Sequence, residues 1–169
     1  LNIGLEMDAH YFTAYSYKKL LDGLPNAKLI DSERLVNWVR VVKSDAEIDL
    51  MKKASKITEL GMKKAFEFIK PGVRQNDLVS EIAGTLIRGT NEYGGDYSAI
   101  VPLLPTGKGT SASHLTWSDN KFVEGEATII ELSGVYRRYH CPMARTVLLG
   151  KPDQKKIDTM KKTIEALHA

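Results

Sequence analysis

The segment 126-EATIIELSGVYRRYHCPMARTVLLG-150 predicts two β-strands around a tight turn. β-Branched and other apolar residues dominate "ATIIELSG" before the turn and "RTVLLG" after it. Alternation along the first strand places Ile130 and Leu132 on one face and Glu131 on the other. Glu131 is therefore either a solvent-facing carboxylate or, if both faces of the strand are covered, a buried one that needs a partner.

The turn between these strands is dense in polar side chains, which a plain hairpin does not require. Arg145 follows the turn on the second strand. We expect Arg145 either to pair with Glu131 across the neighbouring strand or to contact a ligand directly. The polar residues of the turn are Arg137, Arg138, Tyr139 and His140.

Upstream of the hairpin, two amphipathic helices are predicted. Ser44 and Glu47 form a capping box at the start of the first, which should run to about Lys70 and stop at Pro71-Gly72. The second should start near Asn76 and end at Gly89. After it come a glycine-rich loop, a strand-like run "SAIVPLLP" and the loop "TGKGTSAS", which leads to His114.

The two ends of the chain are predicted separately. Residues 1–42 have a β-α-β-α pattern, with a buried strand in "LNIGLEM", and are too short to hold a core alone. The main domain is predicted over 43–169. Its last helix follows the cap Asp153, with an inward face of Ile157, Met160, Ile164 and Leu167.

Composition narrows the function classes. A formal charge of +3 with interspersed signs gives no basic stripe, so we expect no nucleic-acid partner. No apolar run is long enough to span a bilayer, so no membrane partner is expected either. The single cysteine, Cys141, fits a reducing, cytoplasmic location and is more typical of a buried inert thiol than of a nucleophile. The start at Leu1 suggests a fragment of a longer chain.

Two residues are candidates for chemistry. His114 follows a glycine-rich turn, where an imidazole can serve as acid, base or ligand near neutral pH. Glu131 supplies a carboxylate within an apolar strand. Phosphate-binding motifs are absent, because "GKGTS" lacks the spacing of a nucleotide-binding loop.

Taken together, these motifs resemble the creatinase, prolidase and aminopeptidase P superfamily. The carrying stretches are "LVNWVRVVKSDAEIDLMKKASKITELGM", "PGVRQNDLVSEI", "IVPLLPTGKGTSASH" and "IIELSGVYRRYHCPMARTVLLG". The resemblance implies an α+β fold, the first half of a pita-bread domain. An antiparallel sheet would be covered by helices and preceded by the tail of an α/β amino-terminal domain. It also implies that later site residues lie beyond Ala169, so that the chain alone is inactive, and that the full-length protein is a homodimer.

The metal-dependent members of this superfamily carry two aspartates in the hairpin. Aligned on Gly134 and the pair Arg145-Thr146, their positions fall at Leu132 and Pro142. Neither side chain has a donor atom for Mn²⁺, Co²⁺ or Zn²⁺. The resemblance therefore implies a site without a dinuclear metal, and we expect no cofactor.

Three further strings, "GGDYSAIVPLLPTG", "HLTWSD" and "RYHCPMARTVLLGKP", resemble the ectoine-hydrolase subgroup. This implies a small-molecule substrate, ectoine or a similar amidine or guanidine acid. Glu131 would act on the amidine as nucleophile or base, and His114 would transfer protons. The substrate-binding candidates are Arg145, Arg137, Arg138, Tyr139, His140 and Trp117, with Trp117 as an apolar wall.

Three alternatives remain open. A creatinase-like enzyme would use the same residues on another small C–N substrate. A metal-dependent Xaa-Pro peptidase is disfavoured by Leu132 and Pro142. A binding module without catalysis is disfavoured by the presence of His114 and Glu131.

Overall fold

The computed structural model describes all 169 residues, and the chain divides into two compact units, 1–45 and 46–169. No helix is both long and apolar enough to cross a membrane.

The first unit contains β1 (Asn2–Leu5), α1 (Ala14–Gly23), β2 (Lys28–Asp31) and α2 (Leu35–Val41). The two strands pair in parallel, and α1 makes the crossover that a parallel pair requires. Thr13 caps α1, accepting a hydrogen bond from Ser16 N at 3.1 Å. The predicted element order is confirmed, but the predicted burial of β1 is wrong, because Ile3 and Leu5 are only half-buried.

The second unit contains the long helices, a 3₁₀ helix and the hairpin. Its elements are α3 (Asp45–Phe68), α4 (Gln75–Arg88), the 3₁₀ helix (Gly107–Ser111), β3 (Ala127–Tyr136), β4 (Tyr139–Leu148) and α5 (Gln154–His168). The predicted cap of α5 is confirmed: Asp153 accepts a hydrogen bond from Lys156 N at 2.8 Å. That backbone N–H lowers the pKa of the Asp153 carboxyl.

The core lies between α3, α4 and one face of the hairpin. β3 and β4 are antiparallel, and burial alternates along β3 as predicted, with Ile130 and Leu132 buried and Glu131 half-buried. These two strand residues pack in one cluster with the helices; its other members include Ile57, Leu78, Ile82, Leu86 and Phe122.

Gly134 is the point at which α3 and β3 come closest. A Cβ atom there would lie 2.5 Å from Thr58 N and 2.6 Å from Ala54 O, so only glycine fits. The fully buried Thr58 hydroxyl accepts a hydrogen bond from Gly134 N at 2.9 Å and donates to Cys141 O at 2.6 Å. One side chain of α3 is thus bonded to both strands of the hairpin.

Two further predictions about secondary structure and packing are wrong. The run "SAIVPLLP" forms no regular strand; Leu103 and Thr106 make only isolated bridges, to Glu131 and Thr128. Pro105 accepts a hydrogen bond from Ile129 N at 3.0 Å but has no N–H to return the second bond of that pair, which interrupts the ladder. The expected inward face of α5 is not buried, since Met160, Ile164 and Leu167 are exposed and no residue of that helix is buried.

Replacing Thr58 by Val tests the contact between α3 and the hairpin. Valine keeps the volume but leaves Gly134 N and Cys141 O without this partner, so we expect the free energy of unfolding to fall by about 1–3 kcal/mol. Urea unfolding followed by circular dichroism measures it. Thr58→Ser is the matched control: it keeps the hydroxyl, removes one methyl group and should cost about 1 kcal/mol or less. Equal losses in the two variants would show that the hydroxyl does not join the elements.

Candidate active site

One cavity brings together His114 and Glu131, the two residues predicted to carry chemistry. It has a volume of about 390 Å³ and lies between β3 and the loop that follows α4. Its lining consists of Leu103, Pro105, Thr110, Ser111, Ala112, Ser113, His114, Ile129 and Glu131. An imidazole and a carboxylate in the lining of one concave site are side chains that can serve as general acid, general base or nucleophile.

Glu131 is fixed by its main chain rather than by its side chain. Its N–H donates to Leu103 O at 3.1 Å and its carbonyl accepts from Leu103 N at 2.8 Å. Across the hairpin it faces Ala144, whose methyl group offers no charge or hydrogen bond. The carboxylate is half-buried and makes no hydrogen bond or ion pair within the chain, so both of its oxygens are available to a ligand.

His114 is delivered by a loop that is hydrogen-bonded to the core. Leu104 N donates to Leu115 O at 2.9 Å, and Ile129 N of β3 donates to Pro105 O at 3.0 Å. His114 itself has φ +59°, in the left-handed region that few residues other than glycine adopt. A strained residue in a sparsely populated region is held there by its surroundings, and such residues cluster at functional sites.

The hydroxyls in the wall of the cavity were not predicted from the sequence. Thr110 and Ser111 donate to carbonyls of the 3₁₀ helix, Gly107 O at 2.8 Å and Lys108 O at 2.9 Å. Ser113 has no partner within the chain, so its hydroxyl can both donate to and accept from a ligand. The run of small hydroxyl residues in "TSAS", directly before His114, is the signal that could have identified them.

Arg137 and Arg138 lie at the hairpin turn and do not line this cavity. Both have positive φ, +47° and +71°, as a tight two-residue turn requires. Arg138 N donates to Asp96 Oδ2 at 3.1 Å, and its guanidinium lies 4.3 Å from the centre of the Tyr97 ring. Arg137 is six positions further along the chain than Glu131, which is about 20 Å of extended chain.

Tyr139 and His140 have partners of their own at the same end of the hairpin. The Tyr139 hydroxyl donates to Glu47 Oε1 of α3 at 2.9 Å. His140 Nε2 accepts from Ala99 N at 3.1 Å, and Nδ1 lies 3.1 Å from Arg138 O. Because a backbone N–H can only donate and a carbonyl only accepts, the proton of the neutral ring is on Nδ1. Both side chains hydrogen-bond the hairpin to other segments, Tyr139 to α3 and His140 to Ala99, and neither lines the cavity.

Of the two alternatives predicted for Arg145, the pairing with Glu131 is wrong, and direct contact with a ligand stays a prediction. Arg145 faces Ile130 in the register, which places it on the sheet face opposite to Glu131. Its guanidinium instead donates to Ala144 O at 2.7 Å. Trp117 also lies outside the His114–Glu131 cavity and lines a larger one of about 950 Å³.

Solved structures show which fold this is. The Pyrococcus furiosus prolidase matches with a TM-score of 0.84 over 98% of this chain and 47% of that one, at 21% identity. The X-Pro aminopeptidase of Thermotoga maritima matches with a TM-score of 0.85 over 98% of this chain and 45% of that one, also at 21% identity. The predicted α+β pita-bread fold is confirmed, and the chain matches less than half of each of these structures.

The chain belongs to metallopeptidase family M24, whose family model matches residues 49–169. It is 50% identical to the ectoine hydrolase of Halomonas elongata over 89% of this chain and 39% of that protein. It is also 41% identical to an uncharacterized hydrolase/peptidase of Sinorhizobium fredii over 98% of this chain and 42% of that protein. The chain thus spans about two fifths of the length of these relatives.

A metal at this site would need several oxygen or nitrogen donors. Leu132 and Pro142 have none, and they do not share a face: Leu132 is buried against the helices, whereas Pro142 is paired with Ser133 on the face of Glu131. No three His, Cys, Asp or Glu side chains of the chain converge. The residues present therefore do not fit a dinuclear metal centre, and no metal-dependent step is assigned to them.

Replacing Glu131 by Gln tests whether this carboxylate supports the fold. Since it has no partner within the chain, we expect the free energy of unfolding to change by less than about 0.5 kcal/mol. Urea unfolding measures this free energy in Glu131→Gln and in the control variant Glu59→Gln, a change at an exposed position of α3. A loss several times larger at position 131 would mean that the carboxylate is structural.

Proposed function

We propose that the full-length protein carrying this chain is a hydrolase that opens the cyclic amidine of ectoine, with Glu131 and His114 in its active site. The observation that carries the proposal is the cavity that these two residues share. It lies in a chain that is 50% identical to an ectoine hydrolase over 89% of its length. Water adds to the amidine carbon, one ring C–N bond breaks, and the product is an N-acetylated diaminobutyrate.

Glu131 acts at the amidine carbon. Its carboxylate is half-buried and has no competing cation, so a protonated amidine entering the cavity would be its first charged partner. The positive amidine carbon is then attacked either by the carboxylate itself or by water that the carboxylate deprotonates. Both routes need an unpaired carboxylate on the open face of the sheet.

His114 transfers the protons that ring opening requires. The leaving nitrogen must gain a proton as its bond to carbon breaks, and an imidazole can supply it near neutral pH. The hydrogen bonds between loop and β3 fix the backbone of His114 relative to Glu131.

Substrate orientation is assigned to the hydroxyl wall of the cavity. The unpaired Ser113 hydroxyl is placed to bind a polar group of the substrate. A guanidinium to hold the substrate carboxylate would come from outside this cavity. Arg145, on the opposite face of the hairpin, and Arg137 and Arg138, at its turn, would hold the substrate carboxylate only where another part of the protein brings the substrate to them.

We further propose that the reaction needs no metal. An amidinium carbon is already electrophilic, so polarisation by a Lewis acid is not required, and neither Leu132 nor Pro142 offers a donor. The second candidate function is metal-dependent cleavage of Xaa-Pro peptides. It is supported by the family and by 23% identity to the Pyrococcus furiosus Xaa-Pro dipeptidase over 97% of this chain.

The decisive assay incubates the full-length protein with ectoine, with and without excess chelator, and follows ring opening by NMR. We expect equal conversion in both samples. Conversion lost with chelator would overturn the metal-free mechanism but not the substrate. An absence of conversion, together with metal-dependent release of proline from Xaa-Pro dipeptides, would favour the second candidate.

Substitutions at the two residues test their roles. We expect Glu131→Gln and His114→Ala each to lower kcat for ectoine by about 10²–10⁴-fold. Glu59→Gln and His168→Ala, at exposed positions of α3 and α5, are the matched controls and should keep full activity. Activity within a few-fold of the unsubstituted protein in Glu131→Gln would remove that residue from the mechanism.

A further inference from the structure

A second and larger cavity, of about 950 Å³, adjoins the loop that carries His114. The 3₁₀ helix contributes to both cavities: Lys108 and Gly109 line this one, whereas Thr110 and Ser111 line the other. No step of the proposed reaction uses this second cavity. Its lining includes Gln75, Lys108, Trp117, Asp119, Lys121 and Glu126.

Gln75, the first residue of α4, presents an unpaired donor group at this cavity. Its side chain is only 7% exposed. Its Oε1 atom accepts hydrogen bonds from Ser118 N at 2.9 Å and from Ser118 Oγ at 3.1 Å. Because a backbone N–H can only donate, the oxygen must face Ser118, which fixes the orientation of the amide. The Nε2 group then has no acceptor within the chain, so it is available to donate hydrogen bonds to a ligand in the cavity.

The charged residues of the cavity are balanced and unpaired. Lys108 and Lys121 stand with Asp119 and Glu126 in its wall, and none of the four forms an ion pair within 4.0 Å. Trp117 is 36% exposed, so part of its ring can receive a cation. Charges of both signs beside an aromatic face favour a ligand that itself carries both signs.

We propose that this cavity binds a small zwitterionic acid. Its carboxylate accepts hydrogen bonds from Gln75 Nε2 and pairs with Lys108 or Lys121. Its positive end lies against Trp117 and the carboxylates of Asp119 and Glu126. The site does not depend on the reaction proposed at Glu131.

Fluorescence titration tests the site in the full-length protein. Trp38→Phe removes the other tryptophan of this chain, and any tryptophan outside it is replaced in the same way, so that the signal reports on Trp117. Three probes are compared. Proline carries both charges. Cyclopentanecarboxylate lacks the amine, and pyrrolidine lacks the carboxylate. We expect proline to bind at least about tenfold more tightly than either single-charge probe, a difference of about 1.4 kcal/mol. Equal binding of proline and cyclopentanecarboxylate, or no binding of proline, would overturn the proposal.

Gln75→Glu is the decisive variant, because it keeps an oxygen for Ser118 and replaces only the donor group. We expect Gln75→Glu to weaken proline binding at least about tenfold, because a carboxylate oxygen would replace the donor group and face the carboxylate of proline. Asn91→Asp, the same change of group on an exposed loop, is the control and should leave binding unchanged. Thermal unfolding confirms that both variants fold. Unchanged binding in Gln75→Glu would overturn the assignment.

Glu131→Gln separates this site from the proposed active site. It should leave proline binding at Trp117 unchanged whether or not ectoine is hydrolysed. A loss of binding in Glu131→Gln would mean that the probe occupies the His114–Glu131 cavity, and would overturn the second site.

Discussion

The Thr58 hydroxyl, bonded to Gly134 and Cys141, is the contact on which the remaining geometry rests. It lets α3 approach the hairpin at a glycine with no room for a side chain. That approach fixes which face of β3 is covered, and the strand period of two then determines the orientation of every other residue. Ile130 and Leu132 enter the core because of it, and Glu131 is directed away from the helices. The candidate active site is therefore a consequence of helix–hairpin packing.

Local patterns in the sequence predicted much of this arrangement. The hairpin, both long helices, the Asp153 cap and the separation of Glu131 from Ile130 all follow from periodicity and capping chemistry. The errors concern relations between segments. Whether Arg145 could reach Glu131 depended on the register across the turn, which the strand pattern alone does not give. The position of Trp117 depended on the path of a loop fixed by backbone hydrogen bonds, for which side-chain identities carry little information.

The exposure of the apolar face of α5 could not have been predicted, for a related reason. Its apolar stripe is a true amphipathic pattern, but the pattern says only that the helix can be covered, not what covers it. Ser113 was missed because the run "TSAS" indicates that small hydroxyl residues precede His114 but not which of their hydroxyls has no partner within the chain. The structure distinguishes Ser113 from its neighbours, because the hydroxyls of Thr110 and Ser111 donate to carbonyls of the loop and that of Ser113 does not.

Pro142 has a consequence beyond the lack of a metal ligand. Glu131 directs its N–H and C=O away from β4, towards Leu103, and Ser133, two residues further along β3, does the same by alternation. Its partner Pro142 must then turn its own backbone nitrogen towards the outer edge of β4, which pairs with no other strand of this chain. That edge therefore lacks one hydrogen-bond donor near its middle. Proline at such a place discourages indiscriminate strand addition and restricts the alignment in which any further strand could join the sheet.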